Sequence, residues 1–135
     1  MPRFDNAKDL EKHLKKALDA LQAEVLITTQ AKLGSAAVSP VDTGRLRSSW
    51  FAAEGASSNE VAPEKENSPN SDATNLRVDA DKTYHLTNNL PYVQYVALEG
   101  KAVSKPANWF IDFMNVTVPK IQNAAARVVK QEYEL

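Results

Sequence analysis

The chain contains no cysteine, which excludes disulfides and thiolate metal sites and gives no sign of an oxidising compartment. Its four glycines are scattered, so no glycine-rich loop is available to cradle a phosphate. Its two histidines, His13 and His85, lie far apart in sequence. The carboxylates show no metal-ligand spacing, so neither a metal nor a cofactor is expected. No apolar run approaches the roughly 20 residues of a membrane-spanning helix. The opening "MPRFDNAKDLEKHLKK" is polar, unlike the apolar centre of a signal peptide. An excess of one charge is missing too. The formal net charge is -1, which gives no basic field to attract nucleic acid or an anionic membrane surface, and no aromatic-basic strand motif or finger is present. What remains is ordinary globular usage, 43% apolar and 24% charged over 135 residues, enough for one soluble domain spanning 1–135, made in the cytoplasm.

Hydrophobic spacing organises that domain. Leu10, Leu14, Leu18, Leu21 and Val25 recur at three- and four-residue intervals and predict a long first helix. Asp5 or Asn6 is placed to cap its start and Gly34 to end it. "SSWFAA" around Trp50 reads as a strand. Residues 54–76 are rich in Ser, Asn, Glu and Pro and carry five carboxylates against Lys65. With little to bury, this segment reads as a long, flexible acidic loop. "LRVDA" and "KTYHLT" alternate like two further strands, with Ala80-Asp81 as the turn between them. Pro91 suits the start of a short helix and Gly100 its stop. In the last segment Phe110, Phe113, Met114, Ile121, Ala124, Ala125, Val128 and Val129 trace a second helical stripe, with Pro119 inside it to kink or divide the helix. The fold class is therefore α+β: long N- and C-terminal helices packed on a small antiparallel sheet of about three strands, with two short helices and one long acidic loop.

The stretch "SPVDTGRLRSSW", residues 39–50, raises the question of chemistry. Asp42-Thr43-Gly44 is the triplet with which retroviral-type aspartic proteases present a carboxylate. Such a site needs a second carboxylate about 3 Å away, sharing one proton. Here Arg45 and Arg47 stand beside the triplet and would favour ionisation of both carboxylates. The local reading is architectural: Asp42 and Thr43 cap a turn, Gly44 permits it, and Leu46 anchors the next turn in the core, with Arg45 and Arg47 set outward. His13, among lysines, reads as solvated helix surface, and His85 lies on the polar face of its strand. No enzyme is expected.

Two further blocks accompany this one: "NNLPYVQYVALEG", with Asn89, Pro91, Tyr92, Tyr95, Glu99 and Gly100, and then Pro106 followed by Trp109 and Phe110. Together, in this order on a helical frame, they resemble the gene-product-ten-like tail-component family of tailed bacteriophages, related to the minor tail protein Z group. The first block resembles its signature Pro-Val-Asp-Thr-Gly-x-Leu-Arg-x-Ser. The match extends over roughly residues 5 to 130, with Leu98 standing where the family often has Phe. The resemblance implies a virion protein of the neck, head-tail connector or tail-completion region, assembled in the host cytoplasm. It implies a homo-oligomeric ring of six or twelve copies around the DNA channel. Its neighbours would be head-closure or connector proteins and tail-terminator or tail-tube proteins, with double-stranded DNA passing through unread during packaging and ejection and no membrane partner. Rings use heterologous contacts, and Arg45, Arg47, Tyr95, Glu99, Trp109 and Phe110 are the candidate interface residues, the two arginines facing Glu99 or the acidic C-terminus. The aromatics serve equally as monomer core. The acidic loop either lines the lumen or meets a neighbouring ring. The alternative is a cytoplasmic helical dimer acting as an interaction or regulatory module; an Asp-Thr-Gly protease comes last.

Overall fold

The computed structural model describes residues 3–35, 38–39, 45–63, 66, 68–93, 96–97 and 105–135. The first helix, α1, runs Ala7–Leu33. Asn6 is its cap, accepting the Asp9 N–H on its side-chain oxygen at 2.9 Å, which satisfies one of the donors that a helix start leaves unpaired. At the other end the Gly34 N–H returns to the Gln30 carbonyl at 2.9 Å. A Cβ at Gly34 would stand 3.0 Å from the Pro69 side chain, so the close approach of that loop favours glycine there.

A four-residue helix, α2 (Arg45–Ser48), hands the chain to strand β1 (Trp50–Glu54). Strand β2 (Tyr84–Asn88) pairs with it antiparallel, Trp50 opposite Asn88 and Glu54 opposite Tyr84. Gly55, at φ +80°, turns the chain out of β1, a left-handed conformation that favours glycine. Among the described residues the sheet has two strands and not the three expected. "LRVDA" does not join it because its N–H groups go elsewhere. Asp79 N–H donates to the Tyr84 hydroxyl at 2.7 Å and Ala80 N–H to the Asp19 carboxylate of α1 at 2.8 Å. Alternation of apolar and polar residues made the segment extended, but side chains took the donors that a ladder would use.

The chain between the strands also includes a short 3₁₀ turn, Asp72–Asn75. After β2, helical hydrogen bonds from Val93 to Leu90 (3.1 Å) and Val96 to Tyr92 (3.2 Å) mark the short helix expected from Pro91. Its expected end at Gly100 lies outside the described residues. The C-terminal segment is α3 (Trp109–Asp112), a π turn (Phe113–Thr117) and α4 (Val118–Glu132). All of its junctions keep helical dihedrals, so the segment runs as one helix. Pro119 neither divides nor ends it. The widened turn just before, in which Val118 N–H reaches the Phe113 carbonyl, accommodates the missing donor and the ring.

The core gathers Leu33 from α1, Leu46 from α2, Trp50 from β1, Leu90 and Ala97, and Trp109, Phe113 and Ile121 from the last segment. A two-stranded sheet is marginal alone; here Trp50 is covered by Phe110, their rings stacked with centroids 6.0 Å apart. Helix α4 packs along α1 and its end is fastened to the start of α1. His13 lies between the Phe4 and Tyr133 rings, with centroids at 5.1 and 5.5 Å, and its Nε2–H donates to the Tyr133 carbonyl at 2.7 Å. His13 is thus a fastener, not free surface. Both apolar stripes are only half covered. On α1 the buried positions are Ala17, Leu26, Gln30 and Leu33, while Leu10, Leu14 and Leu18 stay exposed; on the last segment Met114 and Val128 do so too.

Candidate functional site

The three blocks singled out in the sequence meet in space. Leu46, Trp50, Leu90 and Trp109 belong to one buried cluster. Polar bonds between the blocks reinforce it. Asn88 donates its side-chain N–H to the Leu46 carbonyl at 2.9 Å and accepts the Leu90 N–H at 3.2 Å, so the end of β2 is clamped onto α2. The Trp109 indole donates to the Val96 carbonyl at 2.8 Å, and the Trp50 indole to the Ser39 hydroxyl at 3.2 Å. Trp109, expected equally at a subunit interface, is 7% exposed and belongs to the core; Tyr92 packs against it half-buried and Phe110 lines a cleft. Pro91 is exposed.

Arg45 and Arg47 do not simply project outward. Both are half-buried. The Arg45 Nε–H donates to the Ala62 carbonyl at 2.8 Å, and the Arg47 Nε–H is buried with no hydrogen-bond partner among the described residues. Asp42, Thr43, Gly44, Tyr95, Glu99 and Gly100 lie outside the described residues, so neither the capping role of Asp42 and Thr43 nor a pairing of arginine with Glu99 is placed.

The segment 54–76 begins inside β1, since Glu54 is that strand's last residue, and it is tied down at several points. Asn89 donates its side-chain N–H to the carbonyls of Ser58 (2.6 Å) and Glu60 (3.1 Å). The Ala62 N–H donates to the Ser49 hydroxyl at 3.2 Å, and the Ser48 hydroxyl donates to the Glu66 carbonyl at 3.2 Å. The firmest anchor was not foreseen. Gln30, 1% exposed, accepts the Ala73 N–H at 2.9 Å and donates to the Trp50 carbonyl at 3.0 Å and to the Asp72 carboxylate. Asp72 in turn accepts the Ala52 N–H at 3.0 Å. One amide thus joins α1, β1 and the acidic segment. The available signal was a glutamine four residues after Leu26 and three before Leu33, on the inward face of the helix.

A second polar cluster sits at the surface. Lys15 bridges Asp19 (3.0 Å), Asp79 (2.7 Å) and Asp81 (3.3 Å), holding the turn before β2 against α1. The Ala80 N–H and then Lys15 hold the Asp19 carboxyl below its ordinary range. Lys15 first, and then the Asp81 N–H, do the same to Asp79, and the carboxylates raise Lys15. Lys82 is raised by its pairing with Glu54 at 3.0 Å. One ammonium shared by three carboxylates leaves the Lys15 group net negative, and its contacts tie the turn before β2 to α1.

His85, half-buried on β2, faces the Gly55 carbonyl at 3.3 Å, apart from the other functional candidates. Among the described residues no group of three or more histidines and carboxylates is placed to hold a metal ion, and no helix is long and apolar enough to cross a membrane. An apolar cleft of about 350 Å³ lies between α1, the sheet and the last helix, where Val25, Leu26, Leu86, Phe110, Met114 and Val118 contribute walls. Its mostly apolar walls are suited to apolar contact. Comparison of the chain with protein-family models, curated proteins and solved structures finds no match.

Proposed function

We propose that the chain is a structural protein of a tailed-bacteriophage virion, forming a ring in the neck, head-tail connector or tail-completion region and joining head to tail around the DNA channel. The observation that supports this reading is the convergence of Leu46, Trp50, Leu90 and Trp109 in one core. Sequence blocks as much as sixty residues apart act as one architectural unit, which suits a signature that specifies a shape. Residues around the Asp-Thr-Gly triplet serve the same end: Leu46 is buried, and Ser48 and Ser49 hold the acidic segment. Arg45 and Arg47, partly turned inward, contribute to a subunit boundary through what their guanidinium groups leave exposed.

The test is location. Electron micrographs of the particles that encode the chain, labelled with an antibody against it, are expected to show label at the head–tail junction. Label elsewhere, or particles without the chain, ends the reading. Within the ring the acidic segment either lines the lumen, where its carboxylates repel passing phosphates, or orders against the next ring. Deleting the segment would also remove Asp72 and Ala73, which the core uses. Charge neutralisation at Glu60, Glu64 and Glu66 to glutamine is the cleaner separation. Slowed DNA release with intact joining marks the lumen, and failed joining marks the neighbouring ring.

A second reading, a dimeric interaction module built on the long helix, is favoured by one observation: the exposed leucines of α1. An Asp-Thr-Gly protease predicts peptide cleavage that is lost in Asp42→Asn.

A further inference from the structure

Leu10, Leu14 and Leu18 are 40%, 40% and 53% exposed, a row of large apolar side chains on successive turns of α1. The helical repeat sets Leu14, Leu18 and Leu21 on the same face as Val25, and Val25 lines the apolar cleft of about 350 Å³. The exposed row and the cleft are therefore one surface. It runs about 22 Å along α1 at the helical rise and reaches Met114, itself 47% exposed, at the cleft's rim.

The spacing of this row is nearly palindromic. Laid antiparallel on a second α1 and centred between Ala17 and Leu18, the row sets Leu10 against Val25 and Leu14 against Leu21, and brings Leu18 within one residue's rise of its own counterpart. Every apolar position meets an apolar position, and Leu10 arrives at the mouth of the other copy's cleft. The charges permit it. The polar residues flanking the row on the cleft side are Glu11, Lys15 and Gln22, and in this register the neutral Gln22 of one copy opposes Glu11 and Lys15 of the other. Lys15 is already engaged by three aspartates, a group that is net negative and whose Asp19 lies well round the helix from the apolar row. On that side of the seam no two like charges are directly opposed, an opposition that costs association dearly. A surface that complements itself in this way generates a two-fold contact, the same patch on both partners.

From this we infer that the occupant of the α1 trough is a second copy of the chain, paired antiparallel through α1 about a two-fold axis beside Leu18. The contact goes beyond the ring reading and does not depend on it, since it concerns the free chain before any assembly.

The absence of cysteine makes a direct test clean. In Leu18→Cys the only thiols present are the two that face each other across the axis, at a separation that facing helices can close to disulfide distance. Mild oxidation is expected to link this variant at least about tenfold faster than Lys16→Cys, whose thiol lies on the opposite face of α1. Mixing Leu14→Cys with Leu21→Cys is expected to give the heterodimeric bridge. Leu18→Asp puts two carboxylates beside the axis and is expected to weaken the dimer by about 100-fold or more. Because position 18 is half exposed in the single chain, its helical circular dichroism is expected to be unchanged. A chain that sediments as a monomer up to about 100 µM, leaving the trough to another protein or an apolar small molecule, overturns the inference. So does Leu18→Cys that bridges no faster than Lys16→Cys, or a dimer that survives Leu18→Asp. Larger assemblies support it if Leu18→Cys bridges within them and overturn it if it does not.

Discussion

The two halves of α1 have the same kind of sequence and opposite surroundings. Toward its C-terminal end Leu26, Gln30 and Leu33 are buried against the sheet and the acidic segment. Toward its N-terminal end Leu10, Leu14 and Leu18 face outward, and the helix is held by His13 on one side and by Lys15 on the other. Hydrophobic periodicity says which residues share a face, not what lies against that face. Burial follows from which other elements arrive. The half that meets the sheet acquires a core, and the half beyond the sheet keeps its leucines for something else.

The largest expected effect lies in the covered half. Leu33→Ala, at a position 3% exposed within the central cluster, should lower unfolding free energy by about 2–5 kcal/mol, measured by urea titration. Gln30→Ala comes next. It leaves the Ala73 N–H and the Trp50 carbonyl without their partner and removes a contact from Asp72. With each orphaned buried group costing about 1–3 kcal/mol, the expected loss is about 2–4 kcal/mol. The acidic segment near Asp72 should also become more sensitive to protease. A loss below about 0.5 kcal/mol would mean that the amide does not anchor the segment.

How much of this was legible in the sequence follows the same division. Properties carried by a local run were readable: both long helices, a cap at Asp5 or Asn6, which falls to Asn6, the Gly34 stop, and the strands at Trp50 and Tyr84. Properties decided by long-range side-chain bonds were not. Residues 76–80 alternate like a strand, yet Asp19 and the Tyr84 hydroxyl claim their donors, and nothing local announces an acceptor sixty residues away. Pro119 signalled a break, and a π turn before it removed the need for one. The acidic segment was read from composition as a chain with little to bury, but Ala62 and Ala73 are 2% and 0% exposed. Two small residues in a polar run carried the packing. Of the candidate site, Leu46 reads from the sequence as a core anchor, whereas Trp109 fits core and interface equally and the inward turn of Arg45 has no local sign.

A smaller effect is expected at the second tie of the acidic segment. Asn89→Ala removes both hydrogen bonds to Ser58 and Glu60 at an exposed site, so global stability should fall by about 1 kcal/mol or less. Cleavage by a nonspecific protease between residues 55 and 61 should accelerate. Unchanged cleavage would show that Ala62 and Arg45 hold the segment without Asn89.

The uncovered half should respond to pH and barely to truncation. Asp19 and Asp79 are held below their ordinary value of 3.8 in the folded chain. Their contribution to stability is therefore complete above that value and fades as pH falls through the lower folded values. Lys15 and Lys82 are raised above their ordinary 10.5, so their contribution is complete below 10.5 and fades as pH rises past it. Exposed to solvent, these pairs are screened by salt, and Asp79→Asn should flatten the acid limb more at low ionic strength than at high.

The smallest effect on the isolated chain is the most informative. Leu18→Ala removes a side chain already 53% exposed, so at concentrations too low for pairing its unfolding free energy should shift by no more than about 0.5 kcal/mol. Leu33 and Leu18 are the same residue on the same helix, and an order of magnitude should separate them. At concentrations high enough for pairing, the comparison changes. The apparent stability of the parent chain rises with concentration by mass action, and the Leu18→Ala chain should gain less, because each dimer loses two side chains at the axis. If both chains gain equally, or neither gains, the leucines of the first turns have no partner in this protein, and the two halves of α1 differ in covering alone.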